Sequence, residues 1–390
     1  MSSQYTWRVV FTLGLFLNAM DIGFAQASAL PPGWKTECVG YYQLSLPAEV
    51  EVALPPLLPY DEDKDEDKHG YVFTDGRGAQ YSRLLFEDPY SIATSHPPNT
   101  FAQVIERTKE NVMKKKKKLL AAGKRNTAAR IQFYSDLMPE AFRIDDGWSA
   151  HLYMQRKGRV YYHRIRNPYS PKTSNGALEE KEPVTAAETK QFNLLVAQSL
   201  QRFRPRALFE IPPETDSGLC MPYVFIADED KNKGKIIRDI HVTFRLKTHP
   251  DVEIYFMDDD SVSMPDPNLK VVMAAKRELD SFWRDYQQGS QAKELEGGFE
   301  RGFRAVHLAG REGVATLVKI TRRDDTIDYG YTAYVKGDIE GSELAVKYIP
   351  NLMLYVIRTA AHTKGTPMSK NDLYQLAEQI AASVKRRVPE

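Results

Sequence analysis

The chain carries the same set of helix signals twice. TAAETKQFNLLVAQSLQRFRP spans residues 185–205 and SKNDLYQLAEQIAASVKRRVP spans residues 369–389, and the two segments align at one constant offset. Each begins with a hydroxyl residue that can cap a helix, and Glu188 or Asp372 follows three residues later, in the arrangement of a capping box. Basic residues and a proline close both segments. The pattern predicts two related helices in equivalent places of a duplicated chain.

The starts of the two halves also correspond. Cys38 and Tyr41 precede Cys220 and Tyr223 at nearly the same offset. Each half carries one more helical stretch, at residues 101–122 and 270–286, after a proline and asparagine signal. We therefore predict two similar domains, at residues 30–206 and 207–390, joined by a linker near residues 206–217, where IPPETDSG combines turn-forming residues.

Alternating apolar residues between the helices predict strands. Residues 240–246 and 252–256 alternate on either side of THPD, which indicates an antiparallel hairpin. HLYMQR and RVYYHRI flank Lys157 and Gly158 in the first half, and FRAVHL and VATLVKI flank AGREG in the second. The expected fold class is α+β, with two similar domains in which an antiparallel sheet is covered on one face by two helices.

The first 29 residues have the features of a secretory signal peptide. Arg8 precedes the apolar stretch VVFTLGLFL, and Ala25, Ala27 and Ala29 have the small-residue spacing of a cleavage site. We expect export to the periplasm and no stable membrane insertion after signal removal, since later segments lack a long apolar run. The formal net charge is only +1, so no global field favours nucleic acid, and none is expected as a partner.

The sequence has no complete motif for catalysis, cofactor binding or metal binding. GWSAH, around Ser149, lacks the second glycine of a nucleophile elbow and is interpreted as a turn before a strand. Gly297, Gly298 and Gly302 lack the strand and helix of a dinucleotide site and are interpreted as a flexible loop. His241 is expected on the polar, solvated face of its strand. The chain is predicted to have no catalytic, cofactor-binding or metal-binding residues and to be no enzyme.

Two charge runs stay without an assigned role. DEDKDEDK, at residues 61–68, lacks the glycine and final glutamate of an EF-hand and is interpreted as a solvated loop, with contact to a basic partner as the alternative. The lysine run at residues 114–118 is interpreted as an exposed helix end, with binding to acidic lipid headgroups or to an acidic partner as the alternative.

Cys38 and Cys220 allow two interpretations. In an oxidising compartment they can pair, and the bridge would join the two halves. Alternatively, each is a buried free thiol in its own sheet. The sequence does not decide between these arrangements, because a disulfide requires Cα atoms within about 7 Å.

The motifs resemble those of the immunity proteins that neutralise type VI secretion lipase effectors, specifically the Tle4 immunity family called Tli4. The first-domain signature is matched by Cys38, Gly40, Tyr42, Leu46 and Pro47, and the second-domain signature by Gly218, Cys220, Gly310, Arg311 and Gly313. The chain departs from the common pattern at Tyr41 and Ser45, where the family commonly has arginine and aspartate.

This resemblance implies a periplasmic two-domain protein whose partner is a cognate phospholipase effector. The family grips the toxin between its halves and obstructs its approach to membrane substrate, so no catalytic group or cofactor is required. Two alternatives stay open at this point: a periplasmic hydrolase whose active site is assembled from distant residues, and an envelope adaptor protein.

Overall fold

A computed structural model describes residues 30–55, 60, 70–79, 83–86, 90–94, 101–135, 140–169, 185–229, 238–260, 270–289, 292–297, 302–342 and 345–387. The expected signal peptide at residues 1–29, the acidic run at residues 61–68 and Gly298 lie outside the described residues. The described residues from Gly33 onward form one compact unit.

The helices follow the predicted pattern closely. They are α1 (Phe101–Ala121), α2 (Arg125–Arg130), α3 (Ala186–Arg202), α4 (Val271–Gly289) and α5 (Lys370–Ser383), with a short 3-10 helix at Ala360–His362. The capping box before α3 is confirmed, because Thr185 Oγ1 accepts from Glu188 N at 3.2 Å and Glu188 Oε2 accepts from Thr185 N at 2.8 Å. At α5, Ser369 Oγ accepts from Asp372 N at 3.1 Å. Among the described helices, none has the length and apolar character required to cross a bilayer.

The described part of the chain forms 22 strands. They are β1 (Trp34–Val39), β2 (Tyr42–Pro47), β3 (Val50–Val52), β4 (Arg83–Phe86), β5 (Tyr90–Thr94), β6 (Gln132–Tyr134), β7 (Ala141–Asp145), β8 (Ser149–Arg156), β9 (Arg159–Arg166), β10 (Phe203–Pro205), β11 (Gly218–Met221), β12 (Val224–Ala227), β13 (Arg238–Leu246), β14 (Val252–Asp259), β15 (Ala292–Glu296), β16 (Arg304–Leu308), β17 (Arg311–Arg322), β18 (Ile327–Val335), β19 (Asp338–Ser342), β20 (Ala345–Ile349), β21 (Asn351–Arg358) and β22 (Lys385–Arg386).

One large antiparallel sheet contains strands from both predicted halves. Its order is β15-β17-β18-β21-β14-β13-β4-β5-β9-β8-β7-β6, with β16 beside β17 and β3 beside β13. The three predicted hairpins are confirmed as β13–β14, β8–β9 and β16–β17. The two halves join where β4 pairs with β13, for example Leu84 with Ile240. The α+β fold class is confirmed.

The helices cover both faces of the sheet, so the expectation of two helices on one face was wrong. On β8, the adjacent residues Tyr153 and Leu152 belong to different apolar clusters. Tyr153 packs with α1, and Leu152 packs with α3. On β14, Tyr255 and Ile254 are divided in the same way between α4 and α5. Because successive side chains of a strand point to opposite faces, each pair of helices lies on opposite sides of the sheet. Both faces of the sheet carry apolar side chains, so each face needs an apolar partner. In each half, one helix covers each face.

Two small sheets each combine two strands of one half with one strand of the other half. β1 and β2 form a hairpin that is completed by β22, the strand after α5, whereas β11 and β12 are completed by β10, the strand after α3. The hairpin at the start of each half is thus closed by the strand that ends the other half. Leu44 and Leu46 of β2 share one apolar cluster with Leu373 and Ile380 of α5. Fully burying such side chains stabilises by about 1.5–3 kcal/mol each. The division into domains at residues 206 and 207 stays a prediction.

Candidate functional site

The two cysteines meet at the junction of the small sheets. Cys38 and Cys220 form a disulfide with their Cα atoms 5.5 Å apart, and both side chains are buried. Two backbone hydrogen bonds lie beside it: Gly40 N donates to Cys220 O at 2.7 Å, and Cys220 N donates to Gly40 O at 2.9 Å. The structure has no free cysteine, so the alternative of two separate thiols does not describe it. The bridge ties β1 to β11, and so ties the starts of the two halves together.

A buried ion pair supports the same junction. Arg206 Nη2 lies 2.6 Å from Glu37 Oε1, and both side chains are nearly inaccessible to solvent. Arg206 also donates to Met221 O at 2.9 Å and to Cys38 O at 3.1 Å. The other oxygen of Glu37 accepts from Phe209 N at 2.5 Å. Such a pair needs these extra hydrogen bonds, since burial removes the hydration of both charges. Arg206, the first residue of the predicted linker, is therefore held in place by contacts with β1 and β11.

A second charge cluster lies under the turn between β1 and β2. Arg238 Nε lies 2.6 Å from Asp258 Oδ2 and its Nη1 lies 2.8 Å from Asp260 Oδ2. Tyr41 N donates to Asp258 Oδ2 at 3.0 Å. Gly40 has φ of +58°, and a Cβ at this position would come within 1.9 Å of Asp258 Oδ2. Only glycine fits there, because both the backbone conformation and the space exclude a side chain.

Burial raises the pKa of Asp260 to about 7, although the charge of Arg238 opposes this shift. One guanidinium faces two carboxylates in this cluster, so the second carboxylate takes up a proton more readily than usual. The arrangement holds β13 and β14 against the β1–β2 turn.

The other residues of the resemblance are also structural. Tyr42 and Leu46 are buried in the core, and Pro47 ends β2. Arg311 donates to Pro350 O at 2.8 Å and to Lys336 O at 2.7 Å, which joins three turns. Two glycines of the β16–β17 hairpin and one at the start of β11 complete the set, namely Gly310, Gly313 and Gly218. The structure thus places the motif residues in the scaffold and at the junction of the halves.

Ser149 is the first residue of β8 and is buried. Its Oγ accepts from Arg164 Nε at 3.3 Å. The neighbouring His151 has its Nδ1 2.8 Å from Tyr162 Oη and its Nε2 3.1 Å from Asp146 Oδ2. Both ring nitrogens are engaged, so the imidazole is not placed to activate the serine.

Asp146 holds this turn and its histidine. Burial opposes its ionisation, but the hydrogen bond and charge of His151, with the N–H groups of Trp148 and Ser149, lower the pKa of Asp146 to about 2. The carboxylate therefore fixes the β7–β8 turn at any ordinary pH.

His241 is not on a solvated face, so that expectation was wrong. Its Nε2 lies 2.7 Å from Asp239 Oδ1, and Tyr255 Oη lies 3.0 Å from its Nδ1. With Asp259 on the neighbouring strand, these residues place three possible ligand atoms within 4.8 Å of one another. Of the described residues, this is the group that could hold a metal ion. The helix α4 covers this face of the sheet, and that cover explains why the histidine is half-buried.

An exposed aromatic side chain lies beside a fixed guanidinium at the end of the large sheet. Tyr134 lies on β6, the last strand of the order, and is 37% exposed. Arg143 on β7 lies under its ring, 5.4 Å from the centroid. The guanidinium is itself fixed by two contacts of 2.5 Å to Asp145 and by a bond of 2.9 Å to Asn193 Oδ1 on α3. We name Tyr134, Arg143, Asp145 and Asn193 the Tyr134 patch.

The Tyr134 patch has the composition of an interface hot spot. Tyrosine and arginine are enriched at such sites, and a guanidinium that is already fixed loses little entropy on binding. Burial raises the pKa of Asp145 against the pull of Arg143, and burial also raises the pKa of Tyr134, so its hydroxyl stays a donor. The sequence does not indicate this patch, because Asn193 lies on α3, far along the chain from β6 and β7. The only local signal was an aromatic residue on the outward side of QFY.

Neither a protein-family model nor a curated protein matches the chain by sequence. Solved structures do match. The apo immunity protein TplEi of the type VI secretion system of Pseudomonas aeruginosa is 14% identical, with a TM-score of 0.50, over 92% of this chain and 98% of that one. A chain of the Tle4–Tli4 complex is also 14% identical, with a TM-score of 0.50, over 92% of this chain and 99% of that one. The resemblance indicated by the sequence motifs is confirmed at the level of the fold: the chain is similar in backbone to type VI immunity proteins along nearly its whole length.

Proposed function

We propose that the protein is an immunity protein that binds and neutralises a cognate Tle4-like phospholipase effector of type VI secretion. It acts in the periplasm, grips the effector between its two domains and blocks access to membrane substrate. The observation that carries this proposal is the backbone similarity over 92% of the chain to TplEi and to a chain of the Tle4–Tli4 complex. Export is supported by the disulfide, since such bonds persist in oxidising compartments.

The scaffold suits a protein that acts by surface fit. The motif residues Cys38 and Cys220 join the halves through a disulfide, and a buried ion pair and two exchanged strands hold the same junction. A rigid frame of this kind lets exposed side chains carry partner specificity, because little order has to be created on binding.

The Tyr134 patch is proposed as one contact with the effector. Its ring is exposed, whereas the arginine beneath it is buried and fully engaged with Asp145 and Asn193. Removing the ring should therefore weaken the complex without disturbing the fold. Hot-spot tyrosines lose about 2 kcal/mol or more on truncation, which corresponds to roughly thirtyfold in the dissociation constant.

The test of function is co-expression with a Tle4-type lipase that is directed to the periplasm. Survival of the cells and a co-purifying complex are expected. Unchanged killing would contradict the proposal. Release of fatty acid from phospholipid by the purified protein alone would instead favour the alternative of a hydrolase.

The contact is tested with Tyr134→Ala in the same complex. Tyr169→Ala is the matched control, because this tyrosine has a similar exposure of 41% and lies outside the Tyr134 patch. We expect the first variant to weaken effector binding and the second to leave it nearly unchanged. Equal effects of the two variants on binding would show that Tyr134 is not part of the interface. The immunity role is tested separately, by the co-expression experiment.

A further inference from the structure

Helix α1 is fixed in one orientation, so its outward side is well defined. Val104, Thr108 and Val112 are buried on its inner side, where the apolar cluster with Phe142 lies. Lys115 is also turned inward: its Nζ lies 2.9 Å from Tyr60 Oη and 4.6 Å from the centre of that ring. One lysine of the run, Lys115, therefore has a structural role.

The outward side of the last turns of α1 combines solvent-exposed lysines with solvent-exposed apolar side chains. Lys114, Lys117 and Lys118 are exposed, and Met113 and Leu120 are 63% and 55% exposed. We name these five residues the basic face of α1. Within the described part of the chain, none of its lysines has an ion-pair partner. The surface continues past the helix end with exposed Lys124 and Arg125.

Three lysines elsewhere on the protein lie within ion-pair distance of a carboxylate. Lys319 lies 2.6 Å from Glu296, Lys293 lies 2.9 Å from Asp325, and Lys157 lies 3.4 Å from Glu210. The basic face of α1 instead groups three exposed lysines, without such a partner among the described residues, on the last turns of one helix. The helix dipole does not account for it, because that interaction falls off within the last turn and Lys114 and Lys117 lie before it.

We propose that the basic face of α1 is a docking surface for an anionic phospholipid bilayer. Lysine is depleted at protein interfaces, where arginine and aromatic residues are enriched, so the composition of this face does not favour a protein partner. Flexible lysines that reach phosphate headgroups, with Met113 and Leu120 beside them to enter the acyl boundary, are typical of a helix lying in a membrane surface. The charge of this face complements an anionic lipid layer, and no shaped pocket is needed.

Binding to vesicles tests the proposal directly. The purified protein is sedimented with vesicles of equimolar phosphatidylglycerol and phosphatidylcholine, and with vesicles of phosphatidylcholine alone. We expect binding only to the anionic vesicles, and weaker binding at high salt. Each lysine near such a surface contributes roughly fivefold, so the K114Q/K117Q/K118Q variant should bind about a hundredfold less tightly.

The chain offers matched controls for both charge and apolar contact. K157Q/K293Q/K319Q removes the same net charge from paired lysines, and V271S/M273S removes exposed apolar side chains from α4. Neither should reduce vesicle binding, whereas M113S/L120S should. Far-UV circular dichroism and the melting temperature verify that each variant is folded.

Three results would overturn the proposal. The first is equal binding of the protein to anionic and neutral vesicles, or no binding to either. The second is equal loss in the K114Q/K117Q/K118Q variant and its charge-matched control. The third is normal vesicle binding by the K114Q/K117Q/K118Q variant together with loss of a protein complex, which would assign this face to an acidic protein partner. None of these outcomes depends on whether the protein protects cells from a lipase.

Discussion

Removal of the Cys38–Cys220 disulfide should strongly destabilise the protein. The two residues are 182 positions apart, so the bond closes about half of the chain into a loop. On the chain-entropy model, a loop of this length restricts the unfolded chain by about 5 kcal/mol at 25 °C. Residual structure in the unfolded chain reduces this number, and native disulfides typically contribute about 2–5 kcal/mol. Because folded proteins are stable by only about 5–15 kcal/mol, the loss is a large part of the total.

Urea unfolding of the native protein and of the Cys38→Ala/Cys220→Ala variant measures this effect. With a slope of about 3 kcal/mol per molar urea, the midpoint should fall by about 1 M or more. Reductant should bring the native protein to the same midpoint and leave the variant unchanged, because both then lack the same cross-link.

The reasoning would be refuted by an unchanged midpoint in native protein whose mass shows that the disulfide has been reduced. A large change in slope would mean that the variant no longer unfolds in one cooperative step, and calorimetry would then replace the urea assay. Retained stability would show that the hydrogen bonds between Gly40 and Cys220, with the ion pair of Arg206 and Glu37, hold the junction without the bridge.

Three further outcomes are expected in the same unfolding assay. Gly40→Ala should destabilise by about 2 kcal/mol or more, whereas Gly33→Ala, at a positive φ with open space, should have a smaller effect. Arg206→Met leaves the Glu37 carboxylate buried without its cation and should cost about 3–5 kcal/mol, part of which a second change, Glu37→Leu, recovers. Burial raises the pKa of Asp260 from 3.8 to about 7, so its stabilising contribution is complete below pH 4 and is lost as pH rises to about 7. Asp260→Asn should remove this fall, roughly 4 kcal/mol at most, and an unchanged pH profile would contradict the assignment.

Local sequence signals predicted the elements well. The predicted helix at residues 101–122 is α1, which ends at Ala121, and the predicted hairpin around THPD is β13 and β14. These predictions succeed because caps, helical periodicity and strand alternation act over a few neighbouring residues. His241 failed the same reasoning, since the helix that covers its side of the strand is not visible in local alternation.

The candidate sites depended much more on the fold. The side chains that surround Tyr134 come from β7 and α3, and nothing in their spacing indicates that they meet. The basic face of α1 was partly visible, because the lysine run and its helix are contiguous. Its separation into inward Lys115 and outward Lys114, Lys117 and Lys118 required the packing of the helix against Tyr60.

By itself the sequence determined four of the five described α-helices, three hairpins, the repeated helix signals and the resemblance to a family of immunity proteins, because each of these depends on short-range patterns. Only the tertiary structure decided that the cysteines pair, that one helix covers each face of the sheet, and that each half closes the opening hairpin of the other. The physical reason is that a contact between residues far apart in sequence depends on which faces of the helices and sheets are buried together. Local propensity does not indicate which distant face becomes the packing partner.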